Sequence, residues 1–366
     1  MPDCQPPSAR LNALSLQKNI PVSITIELTR RCPLSCKHCY LPETRGRARP
    51  GRELQTEEWK NILGQMARAG GLYLVFTGGE PLLRPDLAEL CWHARKLNFD
   101  VRVFSTGLGL TPELASELAA AGVSGFEVSL YGAPAVHDGI TGLKGSLARS
   151  LSAARLLKNN GISVKIKAPL MDINFKEAGR LEKLAKREGF GISFDPVIAP
   201  ANDGDKSALP LRLTGRRLAS AIKRFGGQPP GAEMSAVPGK APLPPFPAGF
   251  ICGAGRNVCA LDPAGNLYPC LQLPVKLGNL TRLPFKSVWK RSVWLKKWRK
   301  ASVKDLKGCV FCPDRDYCSL CPGLSLLEEG DIFAPNKPAC EIAAITRKVA
   351  GPGSMNKPEK RFLRLF

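Results

Sequence analysis

The chain has 366 residues, of which 44% are hydrophobic, and it carries 53 basic and 31 acidic residues for a net charge of +22. This length predicts two domains, or one large domain with an appendage, and the apolar fraction is typical of a globular protein with a buried core. No apolar run is long enough for a membrane helix, and residues 1–10 contain no secretory signal, so the 13 cysteines predict metal or redox chemistry in the cytoplasm rather than disulfides. The basic surplus favours a polyanionic partner, unless it is only a generally basic surface.

The first predicted strand, over residues 22–28, leads into three cysteines with the spacing CxxxCxxC, namely Cys32, Cys36 and Cys39. Four thiolates saturate a 4Fe–4S cluster, so a loop that supplies three leaves one iron open to a substrate or cofactor. The alternative is a zinc site or free thiols, but zinc suits CxxC pairs and no fourth ligand lies obviously beside this loop. The pattern therefore favours a reactive iron–sulfur cluster.

After the cysteines, predicted helices and strands alternate. Helices are predicted over 56–69, 86–96, from 111, over 146–159 and over 175–188, and strands over 72–76, 101–104, 126–130, 163–167 and 192–194. Thr56 and Thr111 are the predicted N-caps of two of these helices. About six β–α units imply a parallel sheet, and they are too few for a closed eight-stranded barrel.

Candidate functional residues follow the predicted strands. In barrel-like folds the chemistry lies at the C-terminal ends of the strands, which is where the cysteine loop, the Gly78-Gly79-Glu80 turn, Ser105-Thr106 and Ser129 fall. Two glycines in a turn allow the backbone to approach a ligand closely, although an ordinary glycine-rich turn has the same sequence.

A change of composition and a second group of cysteines follow the alternating segment. Residues 201–250 are rich in proline and contain one predicted helix over 218–225, so they form either a connector with a segment over the barrel mouth or a poorly ordered linker. Eight cysteines then suffice for two 4Fe–4S clusters, with a pair of zinc ribbons as the alternative. They are Cys252, Cys259, Cys270, Cys309, Cys312, Cys318, Cys321 and Cys340.

Three further features of the sequence are two separate cysteines and a basic segment that contains tryptophans. Cys91 lies in a helical pattern and is predicted to be a core residue, whereas Cys4 has no assigned role. Residues 286–307 place three tryptophans among basic residues. That pattern occurs in nucleic-acid-binding proteins, but its spacing favours one helix that packs between the two cysteine-bearing lobes.

The cysteine loop, the Thr-Gly-Gly-Glu-Pro motif at residues 77–81 and the C-terminal cysteines resemble the radical S-adenosylmethionine (SAM) enzymes that carry a SPASM extension. The resemblance implies an α/β protein built on an open (β/α)6 partial barrel, followed by a cysteine-rich domain with auxiliary iron–sulfur clusters. The expected divisions are an N-terminal extension (1–20), the partial barrel (21–200), the Pro-rich connector (201–250), the SPASM domain (251–345) and a basic C-terminal tail (346–366).

The resemblance also implies the cofactors, which are SAM and three 4Fe–4S clusters. One cluster, on Cys32, Cys36 and Cys39, binds the amino and carboxylate groups of SAM, whose reductive cleavage gives a hydrogen-abstracting 5′-deoxyadenosyl radical. Implied SAM contacts are His38, Gly78, Gly79, Glu80, Thr106 and Ser129. The implied ligand sets of the auxiliary clusters are Cys252, Cys259, Cys270 and Cys321 for the first, and Cys309, Cys312, Cys318 and Cys340 for the second.

Several residues depart from the family pattern. Two residues separate Cys318 from Cys321 where the family usually has three, and the Asn and Arg that the family often has near Thr106 and Thr141 are replaced. Relatives that mature sulfatases place an Asp after the cysteine matched by Cys270, where this chain has Leu271. Since that Asp is the presumed base, we predict that a sulfatase peptide will not be converted to formylglycine.

The resemblance implies an enzyme that modifies a ribosomal peptide or protein side chain by hydrogen abstraction, with the auxiliary clusters passing electrons or positioning the substrate. A flavodoxin or ferredoxin-type protein would supply electrons, and the net charge favours an acidic recognition segment on the substrate. Because little chain precedes Cys32, recognition is expected in the barrel, the connector or a separate protein. The alternatives are a cofactor-biosynthesis enzyme acting on a small molecule such as a tetrapyrrole, and a zinc-bearing nucleic-acid-binding protein.

Overall fold

A computed structural model describes residues 7–46, 51–225 and 250–350. Cys4, residues 226–249 of the Pro-rich connector and residues 351–366 of the basic tail lie outside the described residues.

The described residues form one nine-stranded sheet with the order β6-β5-β4-β3-β2-β1-β7-β8-β9. The first six strands are all parallel and pair in chain order, which confirms the predicted partial (β/α)6 barrel. Because the two edge strands do not pair with each other, the sheet stays open. The strands are β1 (Ser23–Thr29), β2 (Tyr73–Gly78), β3 (Asp100–Ser105), β4 (Gly125–Ser129), β5 (Ser163–Pro169), β6 (Gly191–Asp195), β7 (Val258–Leu261), β8 (Asn266–Tyr268) and β9 (Gly278–Asn279).

Helices cover the outer face of the barrel sheet, where the main hydrophobic core lies. Alternate residues of each strand, such as Ile24 and Ile26 of β1, point into that core, while the intervening residues face the barrel interior. Cys91 is fully buried in the core, as predicted. The helices are α1 (Pro7–Lys18), α2 (Thr56–Arg68), α3 (Leu87–Lys96), α4 (Pro112–Ala120), α5 (Pro134–Thr141), α6 (Ser146–Asn159), α7 (Ala178–Glu188), α8 (Gly215–Phe225), α9 (Phe285–Arg291), α10 (Val293–Lys300), α11 (Pro322–Glu329) and α12 (Lys337–Ala350).

The local chemistry explains where two helices begin. The hydroxyl of Thr111 accepts the Leu114 N–H at 3.2 Å and caps α4, as predicted. The predicted cap of α2 is wrong, because Gln55 is the N-cap and its N–H donates to the Glu58 carboxylate at 2.9 Å. The Thr56 hydroxyl instead donates to Asp86, at 2.7 Å. The sequence analysis did not predict helices α1 and α5.

The C-terminal domain continues the barrel sheet, since β7 pairs in parallel with β1. The N-terminal helix is tied to this domain by the Asn257 side chain, which donates to Asn12 and Ser15 at 3.1 Å each. The indole of Trp289 also donates to the Asn19 carbonyl, at 2.7 Å. Residues 7–20 therefore pack against the sequence-distant cysteine-rich domain.

The basic, tryptophan-containing segment forms two helices rather than the single helix predicted. The backbone turns at Ser292, with ψ of 123°, and the Ser292 hydroxyl caps α10 by accepting the Leu295 N–H at 3.3 Å. Trp289 and Trp298 are buried, so the two helices pack against the rest of the protein instead of exposing these rings. Over the described ranges, the structure contains no helix that is both long and apolar enough to cross a membrane.

Candidate functional site

The loop that carries Cys32, Cys36 and Cys39 lies at the C-terminal end of β1. The N–H groups of Ser35 and Lys37 donate to the last carbonyls of α5 at 3.0 Å each, which fixes the middle of the loop. Burial raises the pKa of Cys32 to about 12, with a contribution from the neighbouring Cys39 thiol. Burial and the other two cysteines also raise the pKa of Cys36. The structure thus gathers three thiols, and these would lose their protons on binding iron.

A buried network on the inner face of β1 holds the second half of the loop. Glu27 is 2% exposed, and its carboxylate accepts a hydrogen bond from the Tyr40 hydroxyl at 2.7 Å. Arg30 lies 2.9 Å from Glu27 and 3.1 Å from Glu43, so it joins the strand to the residues that follow Cys39. The sequence analysis missed this network, although Glu27 is the one charged residue of β1.

Tyr131 is the residue around which several predicted site residues meet. Its buried ring packs edge-on against His38 with 5.1 Å between centroids, and its hydroxyl lies near the side chains of Cys36 and Ser129. The ring of His137 lies 5.2 Å away on another side, and its Nδ1 accepts the Tyr131 N–H at 3.2 Å. Burial lowers the pKa of His137 to about 4, so this imidazole is neutral at physiological pH. The sequence analysis missed Tyr131, although it lies two residues beyond the end of β4.

The side chain of Glu80 is fully buried and joins the ends of two strands. Its carboxylate accepts hydrogen bonds from the Leu82 N–H at 3.0 Å, the Ser105 hydroxyl at 2.7 Å and the Thr106 N–H at 2.8 Å, and also from the Thr106 hydroxyl. These four donors use the acceptor positions that a carboxylate offers. The side chains of Glu80 and Thr106 therefore bind each other.

Gly78 and Gly79 are required by the packing of the turn against the start of the cysteine loop. A Cβ atom on Gly78 would lie 2.3 Å from the Thr29 carbonyl oxygen, and one on Gly79 would lie 2.2 Å from the Arg31 carbonyl oxygen. The N–H of Gly79 donates to Thr29 at 2.7 Å and the N–H of Glu80 to Arg31 at 2.8 Å. The close backbone approach expected of this turn is thus an approach to β1 and the cysteine loop.

The first group of C-terminal cysteines consists of three buried thiols. Cys252, Cys270 and Cys321 are 8%, 6% and 3% exposed, and electrostatic coupling links Cys321 to each of the other two. Gly323 belongs to this contact, because a Cβ atom there would lie 2.0 Å from the carbonyl oxygen of Gln272. Burial raises the pKa of Cys252 to about 12. These residues bring together three of the four ligands expected of the first auxiliary cluster.

Cys259, the fourth expected ligand, does not join this group. It pairs with Ile24 in the parallel β1–β7 ladder and packs in the main core on the helix-covered face of the sheet. Its neighbour Val258 faces the other way and packs with Cys252 and Cys270. Because side chains alternate along a strand, the thiol of Cys259 points away from the other three, which corrects the ligand set implied by the resemblance.

The second group is nearer to the surface. Cys309, Cys312 and Cys318 are partly exposed and Cys340 is exposed. Burial raises the pKa of Cys318 to about 12, and the neighbouring thiols of Cys340, Cys309 and Cys312 contribute to the rise. The structure thus brings together all four expected ligands of the second auxiliary cluster.

Within the described part of the chain, no three His, Cys, Asp or Glu side chains converge closely enough to hold a single metal ion.

Comparisons with known proteins agree with this geometry. A model of the radical SAM superfamily matches residues 26–185, and a model of the SPASM iron–sulfur cluster-binding domain matches residues 252–322. The PqqA peptide cyclase of Streptomyces rochei is 31% identical over 316 residues, which cover 81% of this chain and 82% of that protein. The AdoMet-dependent heme synthase of Methanosarcina barkeri is 28% identical over 347 residues, which cover 88% and 97%.

The fold is also that of a solved structure, Streptococcus suis SuiB bound to precursor peptide SuiA. Its TM-score is 0.64 at 16% identity, with 91% of this chain and 80% of that chain covered. The chain therefore belongs to the radical SAM superfamily. Within the superfamily it is an enzyme with a SPASM domain, whose cofactors are SAM and 4Fe–4S clusters. The family predicted from the cysteine motifs is confirmed.

Proposed function

We propose that this enzyme abstracts hydrogen from a side chain of a ribosomally made peptide or protein. The observation that carries the proposal is the gathering of Cys32, Cys36 and Cys39 at the C-terminal end of β1, beside Tyr131 and Ser129. The peptide substrate is supported by the 31% identity to PqqA peptide cyclase over about four-fifths of both chains.

The residues of the chain would hold the cofactors and exclude water. Cys32, Cys36 and Cys39 would bind the SAM-binding cluster, and that cluster with SAM supplies the hydrogen-abstracting chemistry when bound. Tyr131 lies beside Cys36 and packs edge-on against His38, which keeps the loop in one arrangement. Ile198 is buried in the same small cluster as Tyr131, so part of the segment after β6 covers this side of the site.

The cluster assignment is tested by anaerobic reconstitution with iron and sulfide. We expect three clusters and about twelve irons per chain, and alanine at all three loop cysteines should remove about four irons and all SAM cleavage. The other irons should persist because their ligands lie in the C-terminal domain. Carefully reconstituted protein with only one cluster would contradict the proposal.

The substrate class is tested with deuterated candidates and the reconstituted wild-type enzyme. Short peptides encoded beside the gene should transfer deuterium from a side chain to 5′-deoxyadenosine, as measured by mass spectrometry. The second candidate function is cofactor biosynthesis on a tetrapyrrole, which the similarity to AdoMet-dependent heme synthase favours. Deuterium transfer from a tetrapyrrole, with none from any peptide, would establish that second function instead.

The reductant and the cellular location complete the proposal. A flavodoxin or ferredoxin-type protein would reduce the clusters, and the auxiliary clusters would take up the electron left on the substrate or position it. A cytoplasmic location is supported by the many free thiols, because cytoplasmic reductants keep thiols reduced.

A separate peptide-recognition protein is a further proposed partner, and co-purification with the labelled substrate peptide tests for it.

A further inference from the structure

Residues 263–304 contain ten Lys and Arg residues and no Asp or Glu. These residues form β8, β9, α9 and α10 on the outside of the C-terminal domain. Nine of the ten basic side chains are exposed, and no ion pair joins any of them to an acidic residue in the described part of the chain. The exposed members, which together we call the basic surface, are Lys276, Arg282, Lys286, Lys290, Arg291, Lys296, Lys297, Lys300 and Lys304.

A pocket of about 290 Å³ lies at one end of the basic surface. Arg52, Lys276 and Arg282 contribute its cations, and the side chains of Asn266, Asn279 and Thr281 contribute amides and a hydroxyl. Arg52 is paired with Glu58 at 2.7 Å, whereas Lys276 and Arg282 have no ion-pair partner among the described residues. The side-chain amides of Asn266 and Asn279 and the Thr281 hydroxyl already donate hydrogen bonds within the protein. The pocket therefore offers a carboxylate chiefly the positive charge and the donors of Lys276 and Arg282.

The most exposed apolar side chains on this surface are aliphatic. Leu283 is 51% exposed and Val293 is 69% exposed, whereas Trp289 and Trp298 are 4% and 3% exposed. Trp294 is partly buried, and its ring stacks on that of Trp298. Single-stranded nucleic acid is bound by exposed aromatic rings on which bases stack, and the buried tryptophans cannot serve in this way. The surface therefore suits a peptide with acidic and aliphatic side chains better than it suits nucleic acid.

We propose that the basic surface binds an acidic recognition segment of the peptide substrate, an inference that rests on the proposed function. On the inner side of this surface, α10 packs against the first auxiliary thiols. The indole of Trp298 belongs to the same buried cluster as Cys252 and Cys270, and it donates to the Ala254 carbonyl at 2.6 Å. A segment held on the basic surface would thus be tethered next to the cysteine-rich domain.

The probe is a fluorescein-labelled 15-residue peptide of Glu, Leu and Ala, and its matched control has Gln in place of each Glu. We expect fluorescence anisotropy to show that the wild-type holoenzyme binds the Glu peptide and not the Gln peptide. Binding should weaken between low and physiological salt, because the Debye length shrinks to about 8 Å.

The test variant is Arg282→Glu/Lys286→Glu/Lys290→Glu, and the control variant is Arg149→Glu/Lys183→Glu/Lys186→Glu. Both change the net charge equally, and the control residues are exposed on α6 and α7 without ion pairs to described residues. An exposed ion pair contributes up to about fivefold in affinity. The affinity of the test variant for the Glu peptide should therefore fall about tenfold or more, and that of the control variant less than about twofold.

Equal losses in the two variants would overturn the proposal, because the attraction would then come from net charge alone. The proposal would also be overturned if a 15-nucleotide DNA strand or phosphatidylserine vesicles displaced the labelled peptide more strongly than unlabelled Glu peptide does. SAM cleavage without peptide is measured on every sample and should be unchanged in both variants. Its absence in the wild type would contradict the proposed function, whereas normal cleavage without selective peptide binding would contradict only the docking proposal.

Discussion

The substitution Glu80→Gln separates two roles for a residue of the Gly-Gly-Glu turn. The resemblance makes Glu80 a SAM contact, whereas the structure uses its buried carboxylate to join β2 to β3 through Ser105 and Thr106. Glutamine has nearly the same shape, so it removes the charge and one acceptor atom while it leaves the packing in place.

The structure gives the size of the expected effect. A glutamine amide keeps two of the four hydrogen bonds, and its NH2 group then faces one hydroxyl, which can turn to accept, and one backbone N–H, which cannot. A lost bond to a charged group costs about 1.5–3 kcal/mol, and an unsatisfied buried N–H costs about 1–3 kcal/mol. Burial raises the pKa of Glu80, which reduces the net stabilisation that the hydrogen bonds to its ionised carboxylate contribute. We therefore expect a loss of about 3 kcal/mol.

The measurements are thermal unfolding of the metal-free protein and SAM kinetics of the reconstituted enzyme. A loss of this size should lower the melting temperature by roughly 6 °C, since large domains shift by about 2 °C per kcal/mol. Below that temperature the KM for SAM should change by less than about fivefold, because the backbone of the turn is unchanged. Thr106→Val removes one of the same hydrogen bonds and should lower the melting temperature by a smaller amount.

An unchanged melting temperature together with a large rise in the KM for SAM would refute this reasoning. The Glu80 carboxylate would then be a ligand of SAM, as the sequence resemblance implied. A loss of stability with normal SAM affinity would establish that the Glu80 carboxylate has a structural role and connects β2 to β3.

Three further predictions concern other parts of the molecule. Cys259→Ser should keep the wild-type iron content, whereas Cys252→Ser should lose about four irons; equal losses would return Cys259 to the ligand set. Arg212→Ala leaves Glu328 without the partner that holds it at 2.6 and 2.8 Å, and should cost about 3 kcal/mol in chemical denaturation, much of it regained when Glu328→Leu is added. The folded pKa of His137 is about 4, below its unfolded value, so acidification from pH 7 to pH 5 should cost the wild type about 2 kcal/mol and His137→Asn much less.

The local signals in the sequence determined the family and most of the architecture. The spacing of Cys32, Cys36 and Cys39 defines a three-thiolate loop without knowledge of any distant contact. Alternating β-strand and helix patterns predicted the six parallel strands, because apolar periodicity and turn residues act over short stretches of chain. The cap at Thr111 was predicted for the same reason.

Contacts between distant segments decided what each site residue does. Cys259 faces the core because β7 pairs with β1, more than 200 residues earlier, and this register selects the side of the sheet to which the thiol points. Glu80 is satisfied by donors on the next strand, and Gly78 is required by the backbone of β1. The sequence by itself determined which chemical groups are present and how they are spaced locally, and only the tertiary structure decided which of them meet, because strand pairing and packing join segments that no local pattern connects.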